Sequence, residues 1–439
     1  MSETLALVSV LLGSLAALGC LLGALRALRH KRLIDDLPTS KSQGVFIGLA
    51  ELKGTAESEA PLTSYLAGVS CVQYAWQIDE HWSRTVTETY TDSKGHTMTR
   101  TRTESGWTKV ADGSESIPFY LKDDTGVIQI VPDGAKIHNI EVFDKTASRS
   151  SPLYFGKGPQ HEIANTTHKR RLHETALPLH TMLYVVGQAR ERQDMVAAEI
   201  AYDKNASMFL VSTQTEKQVS SGYGCWYWAL LIIGLICAIG GEVVRDLLAS
   251  TDKGLSWQPF VISSLTFLAV LAGGWVWTVY NSLINLRNRM KQSWSQVDVQ
   301  LKRRHDLIPN LIETVKGYRD YESGTQKLIT ELRGQTEATP PGVSGPDFKG
   351  LAPMLRAIIE RYPDLKANVS FLRLQQSLVD TEQRIALARD YFNDTATFYN
   401  TRLEIVPDRF VAGLARLRPA TLMSAADFER APVQVKLAS

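Results

Sequence analysis

The side chain with the clearest chemical requirement in this sequence is that of Arg304, which falls on the apolar side of a long helical pattern. A guanidinium buried between helices needs a carboxylate partner, because a buried charge without one is strongly destabilising. Three carboxylates on a second helical pattern are candidate partners, namely Glu382, Asp390 and Asp394. Such a pair could recognise a ligand or fix the register of two helices, and register is the simpler role.

We therefore predict a structural polar network or interaction site along these two helices. Its candidate members share charged or amide side chains: Asp298, Arg303, Arg304, Asp306, Asn310, Glu382, Arg389, Asn393 and Asp394. No paired-carboxylate constellation, phosphate-cradling glycine loop or Ser/His/Asp arrangement can be recognised by spacing. We accordingly predict no catalytic residue, no metal site and no cofactor.

Histidine and cysteine are the residues of this chain that would bind a transition metal. The histidines of a polar connector from Pro152 to His180 are His161, His168, His173 and His180. Their spacing matches no familiar ligand set, so a histidine-rich loop is favoured over a metal site. The 4 cysteines of the chain are scattered, and three of them fall in apolar runs, which argues against a disulfide framework or a zinc cluster.

The pattern that carries Arg304 begins as an uncharged apolar stretch, Phe260 to Tyr280, and becomes amphipathic without a turn signal. The positions of one helix face then recur at steps of three and four, and all but Arg304 are apolar or aromatic: Met290, Trp294, Val297, Leu301, Arg304, Ile308, Leu311, Val315 and Tyr318. This spacing predicts one helical rod that starts in a bilayer and projects from it. Pro309, inside the rod, predicts either a bend or a hinge.

Further helices are expected after the rod. Ala367 to Ile405 carries a matching apolar seam, and Leu351 to Tyr362 predicts a shorter helix that Pro363 ends. Long and short helices with complementary seams predict an up-and-down helical bundle.

Three stretches are long and apolar enough to cross a bilayer: Leu5 to Leu25, Trp226 to Val244, and Phe260 to Tyr280. The first contains Gly19 and Gly23, whose spacing permits close helix approach and oligomerisation. Lysine and arginine follow the first and third spans but do not precede the first. Because such residues favour the cytoplasmic side, we expect the N-terminus outside and both soluble regions in the cytoplasm of a bacterial inner membrane.

The region from Ser40 to Ser220 predicts a mainly β domain, because short runs of β-forming residues alternate with turn signals. Several short strands at close spacing predict a small barrel or sandwich. The stretch from Glu88 to Glu104 is rich in threonine and charge, which fits either a solvated hairpin or a mobile loop. Lys plus Arg number 48 and Asp plus Glu 46, so no nucleic-acid partner is expected.

The helical region resembles the LemA family over about residues 275 to 412. The motifs that carry the resemblance are Tyr280-Asn281-Ser282-Leu283, Leu286-Arg287-Asn288-Arg289, Asp298-Val299-Gln300-Leu301-Lys302-Arg303-Arg304, Asp306-Leu307-Ile308-Pro309-Asn310-Leu311, Glu313-Thr314-Val315-Lys316-Gly317-Tyr318, Tyr362-Pro363-Asp364-Leu365-Lys366-Ala367-Asn368, Glu382-Gln383-Arg384-Ile385 and Tyr391-Phe392-Asn393-Asp394. The resemblance implies a membrane protein with a helical bundle, and it defines architecture better than activity.

The β region is similar to the GIDE domain of a mitochondrial E3 ubiquitin ligase. The matching motifs are Pro118 to Gly126, Val131 to Ala135, Leu177 to Leu179 and Leu183 to Gly187. That ligase also carries a RING, which needs about eight Cys and His ligands, largely as Cys-x2-Cys pairs. No pair of that spacing occurs in this sequence, so the resemblance does not extend to ligase activity.

These observations predict a multi-domain membrane protein. The expected divisions are a first transmembrane helix with a basic flank (1–32), a GIDE-like β domain (40–220), a transmembrane hairpin (225–280, with spans 226–244 and 260–280), a LemA-like helical bundle (281–412) and a flexible tail (413–439). We expect a non-catalytic scaffold or adaptor that self-associates, with membrane lipid and further proteins as partners. Two alternatives stay open: a ubiquitin-ligase-like enzyme, and a β-barrel module that binds peptide or lipid.

Overall fold

The computed structural model describes residues 2–91, 97–192, 197–204, 206–249, 257–316 and 369–423. These residues form two compact units, a β unit from Thr39 to Thr215 and a helical unit from Met1–Pro38 and Glu216–Ser439. The helices are α1 (Ser2–Asp35), α2 (Pro152–Gly156), α3 (Glu216–Ala249), α4 (Trp257–Lys316), α5 (Val369–Glu404) and α6 (Asp408–Leu414). The helix predicted from Leu351 to Tyr362 lies outside the described residues.

A small closed barrel forms the core of the β unit. Its strands, with those of the adjoining sheet, are β1 (Thr39–Ser40), β2 (Gly48–Glu57), β3 (Leu62–Thr63), β4 (Ser70–Thr91), β5 (Thr97–Ser116), β6 (Phe119–Lys122), β7 (Val127–Ile130), β8 (Lys136–His138), β9 (Ile140–Ser148), β10 (Thr166–Pro178), β11 (Met182–Glu191), β12 (Ala198–Ala201) and β13 (Leu210–Ser212). Strands β2, β6, β7, β12 and β11 pair in that order, and β11 pairs back to β2. Leu52, Leu121, Val185 and Ile200 are fully buried in this barrel, so its interior is filled by side chains.

The second sheet, with strand order β3-β4-β10-β9 and with β5 on β4, carries a long hairpin. Strands β4 and β5 pair from Gln73 opposite Ser116 to Thr91 opposite Thr97. The hairpin alternative for Glu88 to Glu104 is therefore the one that the structure adopts. Its outer part pairs hydroxyl residues on one face: Ser83 with Ser105, Thr85 with Thr103, Thr87 with Thr101, and Thr89 with Thr99.

The region predicted as a polar connector from Pro152 to His180 needs correction. Its second half is strand β10, which lies between β4 and β9. Arg170, Leu172, Glu174 and Ala176 occupy alternate, inward-facing positions of this strand and are fully buried. The strand escaped recognition because two of its inward positions carry charged residues, which hides the usual alternation of apolar and polar residues.

The three predicted spans coincide with helices α1, α3 and α4, each long and apolar enough to cross a membrane. Helix α3 runs antiparallel to α1, since Ser9 lies beside Gly241 at one end and Lys31 beside Ser220 at the other. Helix α4 leaves the group at the second end, where the Ser282 hydroxyl donates to the Asp36 carboxylate at 3.1 Å. The C-terminus of α1, the N-terminus of α3 and the exit of α4 thus share one end.

Close packing of α1 against α3 depends on glycines that face each other. A Cβ added to Gly241 would lie 3.0 Å from the Ser9 carbonyl oxygen and 3.3 Å from the Gly13 Cα. By contrast, a Cβ added to Gly19 would meet no atom within 4 Å. The contact inside the chain therefore uses Gly13 and Gly241, and Gly19 faces outwards from it.

Gly241→Leu should separate α1 from α3 and lower the thermal unfolding midpoint of the purified protein in mild detergent. The physical reason is that helix association in lipid rests on close packing of small residues. Gly19→Leu adds the same side chain where there is space, and it should leave the midpoint unchanged. Equal effects of the two substitutions would contradict this packing.

Candidate functional site

The predicted polar site lies on two antiparallel helices, α4 and α5. The ring of Trp294 contacts that of Phe392 edge to face, with centroids 5.4 Å apart. Further apolar seam residues are buried in the same interface, Val297 and Leu301 on α4 and Ile385 and Ala388 on α5. The matching seams of the sequence therefore do bring these two helices together.

Arg304 and Glu382 are the predicted residues that meet across this interface. The Nη1 atom of Arg304 lies 3.5 Å from Oε1 of Glu382, and the Arg304 side chain is only 3% exposed. Burial raises the pKa of the Glu382 carboxyl, and the charge of Arg304 opposes that rise. Because folding raises the pKa of Glu382, ionisation of this carboxyl does not stabilise the folded state. The pair is therefore better suited to fixing the register of the two helices than to adding stability.

The other predicted residues differ in how deeply they are buried on the two helices. Arg389 is buried in the interface, whereas Asp298 and Asn393 are half-buried. Four residues are exposed: Arg303, Asp306, Asn310 and Asp394. The predicted set thus contains the pair of Arg304 and Glu382, one buried arginine, two half-buried residues and four exposed residues.

Asn393 has a specific structural role. Its side-chain oxygen accepts a hydrogen bond from the Met423 backbone N–H at 3.0 Å. Two helical turns away, Asn400 accepts one from the Ala420 N–H at 2.8 Å and donates to its carbonyl oxygen at 2.9 Å. These two amides hold the chain against α5 as far as Met423, within the region 413–439 predicted as a flexible tail. Residues 424–439 lie outside the described part.

A second ionic cluster joins the end of α1 to α5 and α6, and sequence reasoning missed it. Arg32 donates two hydrogen bonds to the two carboxylate oxygens of Asp408, both at 2.8 Å. Arg402 donates from Nε to Asp36 at 2.7 Å and places Nη1 3.8 Å from Asp408. Two cations thus face two carboxylates, and the side chains of Asp36 and Asp408 are almost fully buried. We call Arg32, Asp36, Arg402 and Asp408 the junction cluster.

The junction cluster was missed because membrane orientation already explains a basic residue such as Arg32 after a membrane span. The available signal was the acidic pair Asp35 and Asp36, which directly follows that basic flank. Burial raises the pKa of the Asp36 carboxyl, while Arg402 and Arg32 act to lower it. Asp36 therefore depends on its arginine partners to remain ionised in this buried position.

The β unit contains its own buried ion pair, between Glu80 on β4 and Arg170 on β10. Both side chains are fully buried, with Nη2 of Arg170 2.9 Å from Oε2 of Glu80. Tyr154 and Thr166 also donate their hydroxyls to Glu80, at 2.9 and 2.6 Å. Arg170 further donates to the carbonyl oxygens of Tyr154, Pro159 and His161. This pair ties the segment from Ser151 to Asn165 to the sheet.

Three of the four histidines of this region lie beside different carboxylates. His168 lies beside Glu162, His173 beside Glu141, and His180 beside Glu57. Ligand atoms of Glu141, Asp144 and His173 lie within 4.8 Å of one another and could in principle hold an ion. These groups are exposed or half-exposed, and Asp144 already accepts hydrogen bonds from Arg171. Such clusters of exposed acids are common without a metal, and this one supports no assignment.

The one cysteine outside the helices, Cys71, is also unsuited to zinc or nucleophilic chemistry. Its side chain is fully buried at the start of β4. Burial raises the pKa of its thiol to about 11, and the nearby charge of Glu174 adds to that rise. Because the thiolate is both the nucleophile and the metal ligand, Cys71 is a packing residue.

Two family models match this chain. Residues 293–437 match the LemA family model, and residues 87–245 match the GIDE model, described as E3 ubiquitin ligase. Protein LemA of Metamycoplasma hominis is 24% identical over 158 residues, which cover 35% of this chain and 72% of that protein. Magnetosome protein MamQ 2 of Paramagnetospirillum magneticum is 21% identical over 210 residues, which cover 40% of this chain and 76% of that protein.

A related magnetosome protein, MamQ of Magnetospirillum gryphiswaldense, is 23% identical over 165 residues, which cover 30% of this chain and 60% of that protein. No solved structure matches the chain. With its three apolar helices, this chain is a membrane protein that carries a LemA family domain in its C-terminal region and a GIDE match in its N-terminal region.

Proposed function

We propose that this protein is a non-catalytic, membrane-anchored scaffold or adaptor that self-associates and binds further proteins. The observation that carries the proposal is helix α4, whose 60 residues run without interruption from a membrane span into the antiparallel pair with α5. A helix rises about 1.5 Å per residue, so the part beyond Tyr280 extends roughly 50 Å from the bilayer. Such a helix presents side chains at a fixed distance from the membrane.

The exposed group of predicted residues supports this role. Arg303, Asp306 and Asn310 lie close together on α4, and Asp394 lies on α5. Their charges and amide are of the types that form the polar part of protein interfaces. The described helices also offer exposed surfaces for contact, while the buried charges of Arg32, Asp36, Arg304 and Asp408 are engaged in ion pairs between helices.

We further propose that the protein lies in the inner membrane of a bacterium, with the N-terminus outside and both soluble regions in the cytoplasm. The basic residues Arg26, Arg29, Lys31 and Arg32 after the first span support this orientation. Cysteines placed at Asp394 and at Glu88 should react with an impermeant reagent only after the cells are opened. Reaction of the two positions from opposite faces of the membrane would contradict the orientation.

Self-association is tested by the mass of the full-length protein in lipid nanodiscs or mild detergent. We expect a multiple of the 48.8 kDa chain. Arg303→Glu should weaken binding of partners or copies, whereas Arg373→Glu, the same change at another exposed position of the helical pair, should not. A strictly monomeric chain that retains no partner reproducibly would rule the scaffold out.

The GIDE match favours ubiquitin-ligase-like activity as the contrasting function. Zinc analysis and a ubiquitin-transfer assay separate the two proposals. We expect no stoichiometric zinc and no transfer above background, because the sequence holds no Cys-x2-Cys pair and Cys71 is buried. Stoichiometric zinc together with ubiquitin transfer would show that the protein is an enzyme and not a scaffold.

A further inference from the structure

Helix α6 lies beside the point where α4 leaves the membrane. Val411 and Ala412 of α6 are buried in one apolar cluster with Val279 and Leu283 of α4. The exposed aromatic side chains of Trp277 and Tyr280 belong to the same stretch of α4. Tryptophan and tyrosine concentrate at the boundary between the hydrocarbon and the headgroups. The apolar contacts of α6 therefore lie at the edge of the bilayer.

The junction cluster independently indicates where α6 lies relative to the bilayer. Asp408, the first residue of α6, is paired with Arg32 of α1. Arg32 follows the last apolar residue of the predicted first span, Leu25, by about 10 Å along the helix. The headgroup layer extends about 5–8 Å beyond the hydrocarbon on each side. The contacts with α4 place α6 near the edge of the hydrocarbon, and the pair with Arg32 places its first residue, Asp408, at the level of the headgroups.

The outward face of α6 is apolar. Phe410 is 71% exposed and Leu414 is 83% exposed, and residues four apart lie on the same side of a helix. Val406, which precedes the helix, is 64% exposed. Large apolar side chains with this exposure on a soluble surface mark an interaction site when they are adjacent.

The exposed charges around this face are mostly positive, and the exposed acid Glu404 lies two residues before Val406. Arg409, Arg416 and Arg418 are exposed, whereas the acid of the helix, Asp408, is buried and paired with Arg32. An apolar stripe with flanking arginine is the pattern of a helix that lies in the bilayer interface. Juxtamembrane basic residues are attracted to the anionic lipids of the cytoplasmic leaflet.

We propose that Val406, Phe410 and Leu414, with Arg409, Arg416 and Arg418, form a membrane-binding surface, which we call the interfacial surface. Its partner is a bilayer that contains anionic phospholipid. The apolar side chains enter the boundary between headgroups and acyl chains, and the arginines contact phosphates. The position of α6 at the edge of the bilayer and the excess of arginine over acid around it favour lipid over a second copy of the chain. This surface would orient the C-terminal helices relative to the membrane, and it does not depend on the scaffold proposal.

The test measures the depth of a nitroxide label attached at Phe410→Cys in the full-length protein with Cys225→Ser. The protein is reconstituted in nanodiscs that contain either phosphatidylcholine alone or a mixture with phosphatidylglycerol. The same chain without Phe410→Cys, labelled identically, sets the background from the remaining cysteines. Asp394→Cys, an exposed position on α5 about 15 Å from the end of that helix, is the matched control in water.

In the anionic nanodisc, the label at position 410 should be several-fold more accessible to oxygen than to a water-soluble nickel chelate. The label at position 394 should show the reverse. Replacing Arg409, Arg416 and Arg418 by glutamine should shift label 410 towards water in the anionic nanodisc and have little effect in phosphatidylcholine. High access of the nickel chelate at position 410 in both lipids would overturn the proposal. Protection from both reagents would indicate a protein contact and would overturn it as well.

Discussion

Arg170→Met should lower the free energy of unfolding of the β unit by about 3–5 kcal/mol, because it leaves the buried Glu80 carboxylate without its cation. The substitution also removes the hydrogen bonds that Arg170 donates to three backbone carbonyl groups. Those carbonyls belong to the segment around α2, which should detach from the sheet first. Chemical unfolding of the full-length protein, followed by tryptophan fluorescence and by circular dichroism at strand wavelengths, measures the loss.

Arg171, the residue after Arg170 in β10, provides the control substitution. Arg171 forms an ion pair with Asp144 at 3.1 Å, but its side chain is about half exposed to water. Exposed pairs of this kind contribute little, so Arg171→Met should leave the unfolding midpoint near that of the parent protein. The double variant Glu80→Met with Arg170→Met should recover part of the lost stability, since no unpaired charge then remains buried. Equal losses for the two arginines would contradict a special role of the buried pair.

The same pair predicts how the stability of the β unit depends on pH. Burial acts to raise the pKa of Glu80, but the hydrogen bonds from Thr166, Arg170 and Tyr154 outweigh it and lower that pKa. A carboxyl with a lowered pKa in the folded state stabilises above its unfolded pKa, which is about 4.3 for glutamate. This contribution should disappear as the pH falls through the lowered pKa. Glu80→Gln should flatten that part of the acid unfolding curve.

Local patterns made a large part of this architecture predictable from the sequence. Apolar runs of sufficient length located the three spans, and the seams of α4 and α5 brought Arg304 to Glu382. The turn between β6 and β7 likewise forms locally, because Asp123 accepts hydrogen bonds from the backbone N–H groups of Thr125 and Gly126. In each case the structure is fixed by residues within a few turns of one element.

Contacts between residues that do not lie on matching apolar seams were not predictable in this way. Glu80 and Arg170 look like surface charges, because in sequence nothing reveals that strands β4 and β10 put them on inward positions. Arg32 and Asp408 are separated by 376 positions, and each has an ordinary local explanation. A charge becomes a buried partner only when the fold brings its counterpart within hydrogen-bond distance, and a single sequence carries no signal for that pairing.

Arg32→Met should detach α6 and the end of α5 from the first membrane helix, with a loss of about 3 kcal/mol or more in stability. The substitution leaves Asp408 buried with only Arg402 near it, at 3.8 Å. Arg29→Met is the matched control, because it removes the same charge one turn away at an exposed position. Both variants lose one basic residue from the flank of the span, so any effect on membrane orientation is common to them.

Backbone hydrogen exchange of the reconstituted protein distinguishes the two variants. Amides of α6 should exchange faster in Arg32→Met, because opening of this region no longer has to break the bidentate pair with Asp408. The exchange should remain at the parent rate in Arg29→Met. Arg32→Met combined with Asp408→Leu should restore slow exchange in part, since the orphaned carboxylate is then absent. If exchange in α6 were the same in both single variants, the junction cluster would not be what holds the C-terminal helices to the membrane anchor.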